Sequence, residues 1–321
     1  MRAAHYERTG PAAEVLHVGE VDRPEPGPGE VRVRVTVSAI NPTDVKSRAG
    51  VTPRPIDELQ IPHQDGAGVI DAVGEGVDPG RVGERVWLWL AATRRWGTAA
   101  EYTVVPAEQA VPLPGGVSDE LGASLGVPAV TAHHALFADG PLAGASVLVA
   151  GGAGAVGHFA IQLAKRAGAR VATTVSGPEK AELARAAGAD LVVNYHDADA
   201  ADRLHDWAPR VDRVVELDLG ANLDLDLRLA GPGTSVVVYA ATPEDPTLPV
   251  RRCMTANVVL RFVLLYGIPR EDLLRSVDEV AAAAADGALS ELPAHRFALD
   301  DIVAAHEAAE SGVVGKVLVQ P

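Results

Sequence analysis

Glycines at 151, 154 and 157 fall directly between an apolar run, residues 146–150, and an amphipathic run in which Val156, Phe159, Ala160, Leu163, Ala164 and Ala167 recur at helical spacing. The first run reads as a buried parallel strand and the second as a helix packed by one face. Glycine in the turn between them lets the backbone approach a pyrophosphate. The helix beyond it offers free N–H groups and the positive end of its dipole. Strand, loop and helix together form a phosphate cradle, and the flanking elements separate it from a chance glycine repeat.

A chain of 321 residues is long enough for two domains, because a single core rarely grows past about 250–300 residues. Its 47% hydrophobic and 22% charged residues are ordinary for a globular protein. The net charge of −15 repels phosphate backbones and anionic membrane surfaces, so neither nucleic acid nor a membrane is an expected partner. The single cysteine, Cys253, rules out an intramolecular disulfide and any multi-cysteine zinc site. The first eight residues carry charge where a signal peptide needs an apolar core, and no apolar run approaches eighteen residues. A soluble, cytoplasmic protein is expected.

Residues 1 to about 122 are β-rich. Residues 31–37 alternate with period two, proline and glycine punctuate 24–29, and short strands are expected at 68–73, 85–90 and 100–105. After residue 119 the rhythm changes. Short apolar segments at 147–150, 170–175, 190–193, 211–216 and 235–239 alternate with helical stretches at 157–167 and 179–187. Strand, helix, strand at this spacing predicts a doubly wound parallel sheet with right-handed crossovers. Helices are expected at 272–286 and 299–311. A last strand at 315–320 is expected to return to the N-terminal β unit, so that the nucleotide domain interrupts a discontinuous first domain.

In a dinucleotide fold an acid at the end of the second strand binds the ribose hydroxyls and disfavours a 2′-phosphate. Here that strand ends in Thr173-Thr-Val-Ser-Gly177, without an acid. Ser176 can bond a phosphate oxygen, Lys180 follows one turn later as a cation, and Tyr195 follows the third strand. Together they favour NADP(H) over NAD(H), with Glu179 as the opposing feature.

The chain resembles the medium-chain dehydrogenase/reductase superfamily, in particular its zinc-free quinone oxidoreductase (zeta-crystallin-like) branch. The resemblance covers nearly the whole length. It rests on Asn41-Pro-Thr-Asp44, Asp65-Gly-Ala-Gly68 with Val73-Gly74, Val82-Gly-Glu-Arg-Val86, Gly97-Thr-Ala-Ala-Glu-Tyr102, Gly126-Val-Pro-Ala-Val-Thr-Ala132, the glycine loop, and Gly315-Lys-Val-Leu318. It implies an α/β protein with a GroES-like β-rich catalytic domain at 1–122 and 267–321, and a Rossmann doubly wound parallel-sheet domain at 123–266 that binds NADP(H). The implied cofactor contacts are Thr131, expected at the start of a helix after Gly126-Val-Pro128, with Gly151, Gly154, Ala155, Val156, Gly157, Ser176, Lys180, Tyr195 and Tyr239. Asn41, Asp44 and Lys46 are the implied catalytic group, with Asn41 the neutral donor for a carbonyl oxygen.

Zinc-dependent members of that superfamily carry a cysteine near the Asn41 position and a histidine near Gln64. This chain has neither, so no metal is expected. His63, beside Gln64, reads as a hydrogen-bonding loop residue. Without a Lewis acid to lower an alcohol's pKa, reduction of an electrophilic acceptor is the easier direction, and a quinone accepts hydride directly. Many close quinone reductases have tyrosine where this chain has Lys46. Lysine there resembles the branch that reduces alkenals, enones and enoyl thioesters, which makes an enone reductase the alternative. A redox-inactive NADPH-binding protein, as among lens crystallins of this family, is a third reading. Trp87, Trp89 and Trp96 are candidates for an aromatic wall around a flat acceptor, with core packing an equal reading for Trp87. The apolar run 258–265 implies a homodimer, since in the family this region pairs across a two-fold axis.

Overall fold

The computed structural model describes residues 1–52, 55–242 and 244–321. They divide into two compact units, Met1–Pro128 with Glu291–Pro321, and Ala129–Ser290. No helix among the described residues is long and apolar enough to cross a membrane.

In the first unit β1 (Arg2–His5) and β2 (His17–Glu20) form an antiparallel pair around the single turn α1 (Ala12–Val15). The alternating run becomes β3 (Glu30–Ala39), with Val31, Val33, Val35 and Val37 buried. It is followed by α2 (Pro42–Ala49), β4 (Asp65–Val73), β5 (Arg85–Leu88), β6 (Tyr102–Pro106) and β7 (Ala110–Pro112). The unit closes with β14 (Ala294–Ala298), α10 (Ile302–Glu310) and β15 (Lys316–Gln320). The sheet order is β14-β15-β3-β4-β5-β7, with β6 also on β3. The last strand returns as expected: β15 lies antiparallel to β3, Leu318 opposite Ala39 and Val319 opposite Ser38. The Ile40 N–H then donates to the Val317 carbonyl at 3.1 Å, which sets Lys316 beside the start of α2.

The second unit holds six parallel strands: β8 (Ser146–Val149), β9 (Arg170–Val175), β10 (Leu191–Asn194), β11 (Arg213–Glu216), β12 (Ser235–Val238) and β13 (Val259–Phe262). Their order is β10-β9-β8-β11-β12-β13, so the winding reverses between β8 and β11, where such folds take their ligand. The crossovers use α4 (Ala155–Arg166), α5 (Pro178–Ala186), α6 (Ala200–Trp207), α7 (Leu219–Leu229) and α8 (Val250–Ala256). Leu148, Val193, Leu204, Val214, Leu229 and Val236 pack between sheet and helices. β13 is an edge strand, and Val259 and Phe262 on it and Leu264 just past it are exposed, Phe262 at 65%.

Two features differ from the sequence reading. Helix α9 (Arg270–Ala285), expected with the catalytic domain, belongs to the second unit. Ser276 bonds His133 at 3.0 Å, and Glu279 and the following Asp286 pair with Arg166. Helix α3 (Asp119–Phe137) runs through Pro128 rather than starting after it, so Thr131 sits in mid-helix. The ladder is opened there from outside: the Val127 N–H donates to the Asp65 carboxylate at 2.8 Å, and Pro128 has no N–H to lose. Gly126 is required at the same point, because a Cβ would run into that carboxylate.

Candidate active site

In the first unit Asn41 caps α2, with Pro42 at the first helical position and Asp44 reaching back to accept the Asn41 N–H at 2.8 Å. The other Asp44 oxygen accepts the Gln64 N–H at 3.1 Å. Both ends of the Asn41 amide are engaged. Its Nδ2 donates to Asp65 at 2.7 Å, and its Oδ1 accepts from the Lys316 ammonium at 2.6 Å. Lys316 also donates to the Ile40 carbonyl at 3.0 Å. All four side chains are buried. Burial, and then the charge of Asp65, push Asp44 up to about 7, against the pull of the Asn41 N–H and Lys316. Burial pushes Asp65 up to about 6, opposed by Lys316. Lys316 is lowered by burial and held up by the two carboxylates. One ammonium between two buried carboxyls makes a closed electrostatic unit, with the amide locked inside it.

Lys46 stands apart from this cluster. It lies on the exposed face of α2, and neither oxygen of Asp44 turns to it. His63 is the hydrogen-bonding loop residue its surroundings suggested. Its Nδ1 pairs with Ser38 Oγ at 2.8 Å and its Nε2 with His306 Nε2 at 3.0 Å, and burial lowers both imidazoles. These bonds hold its backbone at φ 75°, a left-handed conformation rare outside glycine. The tryptophans do not form the aromatic wall. Trp87 and Trp89 are core residues, and Trp96 packs against the cluster around Ile61.

In the second unit the cradle follows the strand as expected. Gly154 caps α4, and the N–H groups of Ala155, Val156 and Gly157 form its first turn, where no carbonyl within the helix can accept them. Gly157 must be bare because a Cβ would meet the Gly151 carbonyl, whereas at Gly154 the protein itself leaves room. The bareness at 154 therefore suits an approaching ligand. At the ends of β9 and β10, Lys180 donates to Ser176 Oγ at 2.9 Å, and the Tyr195 N–H bonds the Val175 carbonyl at 3.1 Å. This brings Ser176, Lys180 and Tyr195 together, with the Tyr195 ring 52% exposed. Glu179 is exposed on α5. Thr131 is buried in α3, and the Tyr239 N–H donates to the Glu216 carbonyl at 3.0 Å, its phenol raised by burial and by the Glu216 charge.

Asp65 and Lys316 hold Asn41 as firmly as Asp44 holds α2, yet the sequence marked them only as parts of motifs. Their signal was a charged residue at an inward position: Lys316 heads the apolar run of β15. The same lysine bears on metal binding. A fixed ammonium 2.6 Å from the Asn41 oxygen repels a dication there, and no group of three or more His, Cys, Asp or Glu among the described residues could hold one. The residues present do not fit a catalytic zinc.

A doubly wound unit with a glycine cradle, carried in one chain with a β unit that it interrupts, defines a dinucleotide-dependent oxidoreductase. Comparison with known proteins narrows the class. The alcohol dehydrogenase GroES-like domain family matches residues 27–115, and the family described as zinc-binding dehydrogenase matches 155–282. The Rattus norvegicus quinone oxidoreductase is 30% identical over 326 residues, covering 99% of this chain and 97% of that protein. Among solved structures, the Escherichia coli quinone oxidoreductase complexed with NADPH superposes with a TM-score of 0.86 at 26% identity, over 100% of both chains. An NAD-dependent alcohol dehydrogenase superposes at 0.89 and 27% identity, again over 100% of both. The chain belongs to the medium-chain dehydrogenase/reductase superfamily, in its quinone oxidoreductase branch.

Proposed function

We propose that the chain is an NADPH-dependent, metal-independent oxidoreductase that reduces quinone-type acceptors, working in the cytoplasm as a homodimer. The observation that carries this reading is the grouping of Ser176, Lys180 and Tyr195 where β9 and β10 end. A hydroxyl, an ammonium and a phenol suit a ribose 2′-phosphate, and no carboxylate at the end of β9 repels one. The first-turn N–H groups of α4 receive the pyrophosphate, with Gly151 and Gly154 keeping the backbone bare; Thr131 and Tyr239 complete the cofactor contacts. Bound NADPH supplies the hydride.

Asn41 keeps one amide hydrogen beyond the one given to Asp65, and directs it at the acceptor oxygen, where negative charge develops. Lys316 and Asp65 fix which end of that amide is the donor. Asp44 holds the start of α2 and so the placement of Asn41. The Lys316 ammonium, in place of a metal, supports metal independence. An enone or enoyl thioester is the second reading, favoured by Lys46, whose exposed ammonium is free of Asp44 and can answer enolate charge. The dimer reading rests on the exposed apolar edge of β13, a surface that monomers rarely leave open; light scattering should give twice the chain mass.

Steady-state NADPH oxidation against a panel of quinones and enones, with and without EDTA, tests the whole reading. Turnover of quinones that survives chelation is expected. Preferential turnover of enones moves the assignment to the second reading. NADPH binding without turnover of any acceptor would leave the redox-inactive reading, and activity restored by zinc would overturn the metal-free one.

A further inference from the structure

At the opposite end of α4 from the glycine loop, a cavity of about 360 Å³ opens within the second unit. Its size falls within the range of small-ligand sites, about 300–1,000 Å³. The last turns of α3 contribute His134 and Phe137, α4 contributes Leu163 and Arg166, β13 contributes Arg261, and α9 contributes Arg275. The lining divides into an apolar wall and a rim rich in donors.

A guanidinium carries five N–H groups, and here each has an acid partner that uses only part of them. Arg166 pairs with Asp286 at 2.8 Å and Glu279 at 3.6 Å, Arg275 with Asp272 at 2.6 Å and Glu271 at 3.9 Å, and Arg261 grips Asp139 through Nε and Nη2. His134 is 9% exposed and lines the cavity. The neighbouring His133 is already spent on Ser276. Burial lowers both imidazoles, so His134 enters as a neutral ring with one N–H and one lone pair. The negative end of the α3 dipole, which would oppose an anion here, is offset by Arg213, whose guanidinium donates to the Ala135 and Leu136 carbonyls. Asp272 and Glu279 also line the cavity and answer Arg275 and Arg166, so what is left for a ligand is the guanidinium N–H groups beyond these pairs, beside an apolar wall of Phe137 and Leu163.

We propose that this cavity binds a small organic carboxylate, its anionic head on the spare N–H groups of Arg261 and Arg275 beside His134 and its hydrocarbon against Phe137 and Leu163. The proposal stands independently of the acceptor and cofactor assigned above. The apolar wall distinguishes such an acid from inorganic phosphate, which would gain nothing from it.

The probe is benzoate, compared with benzamide as its uncharged isostere and with inorganic phosphate as the bare anion. Each is titrated into the full chain while the His134 ring is followed by NMR, its signals assigned with His134→Gln. Benzoate should shift the ring saturably with Kd of about 1 mM or tighter, and benzamide and phosphate should bind about tenfold more weakly. Arg275→Gln, at a side chain 59% exposed, should weaken benzoate about tenfold with unchanged circular dichroism. Arg261→Gln gives a second reading of the same loss, and Arg185→Gln, on α5 outside the cavity, should leave benzoate binding unchanged. No saturable shift, equal affinity for benzamide or phosphate, or benzoate binding untouched by both arginine changes would overturn the proposal.

Discussion

The Asn41 cluster of the first unit and the glycine loop of the second are built on opposite principles. Around Asn41 the charged groups are already committed, and the amide keeps a single hydrogen over: amide to Asp65 and Lys316, Asp44 to two backbone N–H groups, all of it buried. Around the glycine loop the polar groups are held loosely. Lys180 has one hydrogen bond to Ser176, Tyr195 is half exposed, and the first turn of α4 has no acceptors of its own. The Asn41 cluster is rigid before any ligand arrives, at a cost in stability. The glycine-loop region keeps its donors in reserve, so its energy appears only on binding.

The largest test of this contrast is Lys316→Met. It leaves two carboxyls buried without their cation, and a loss of about 3–5 kcal/mol in denaturant unfolding is expected. Little change would mean that the carboxyls are neutral in the folded state and the cluster is not an ion network. Lys180→Ala should behave the other way, with unfolding unchanged and NADPH affinity reduced by about 1.5–3 kcal/mol while NADH is unaffected. Equal loss for both nucleotides would remove Lys180 from the 2′-phosphate.

The smallest effect concerns a third region. Asp226 and Glu216 are buried together in the second unit, and neither oxygen of Asp226 has a partner among the described residues. Burial, and then the Glu216 charge, push Asp226 up from 3.8 to about 8. The folded state then binds the proton more tightly than the unfolded state, so stability falls as pH rises through that interval. Asp226→Asn should flatten the decline, gaining on the order of 1–2 kcal/mol at pH 8 relative to pH 5. A gain equal at both pH values would show that Asp226 does not titrate there.

These contrasts also explain what the sequence made legible. The cradle, β8 to β10 and the grouping of Ser176, Lys180 and Tyr195 come from chain-local spacing, and periodicity reads such spacing directly. The Lys316 contact to Asn41 spans 275 residues. Nothing in either segment alone announces it, although the return of the last strand to the β unit was foreseeable. Trp87 and Trp89 resembled an aromatic wall because composition does not say which side of a strand faces a ligand. Thr131 was placed at a helix start because proline usually opens a helix. A carboxylate from β4, remote in sequence, made Pro128 tolerable in mid-helix.

The position of Lys316 in the last strand also orders events during synthesis. Residues 129–290 form one contiguous unit and can fold while the chain is still emerging, as domains made early generally do. The β unit begins first but finishes last. Until β15 leaves the ribosome, the Ser38–Ala39 end of β3 lacks its partner, and Asp44 and Asp65 face each other without a counter-ion. A nascent chain halted before residue 316 would thus carry a finished nucleotide unit and an open sheet edge in its β unit, the form that a chaperone or a protease would meet.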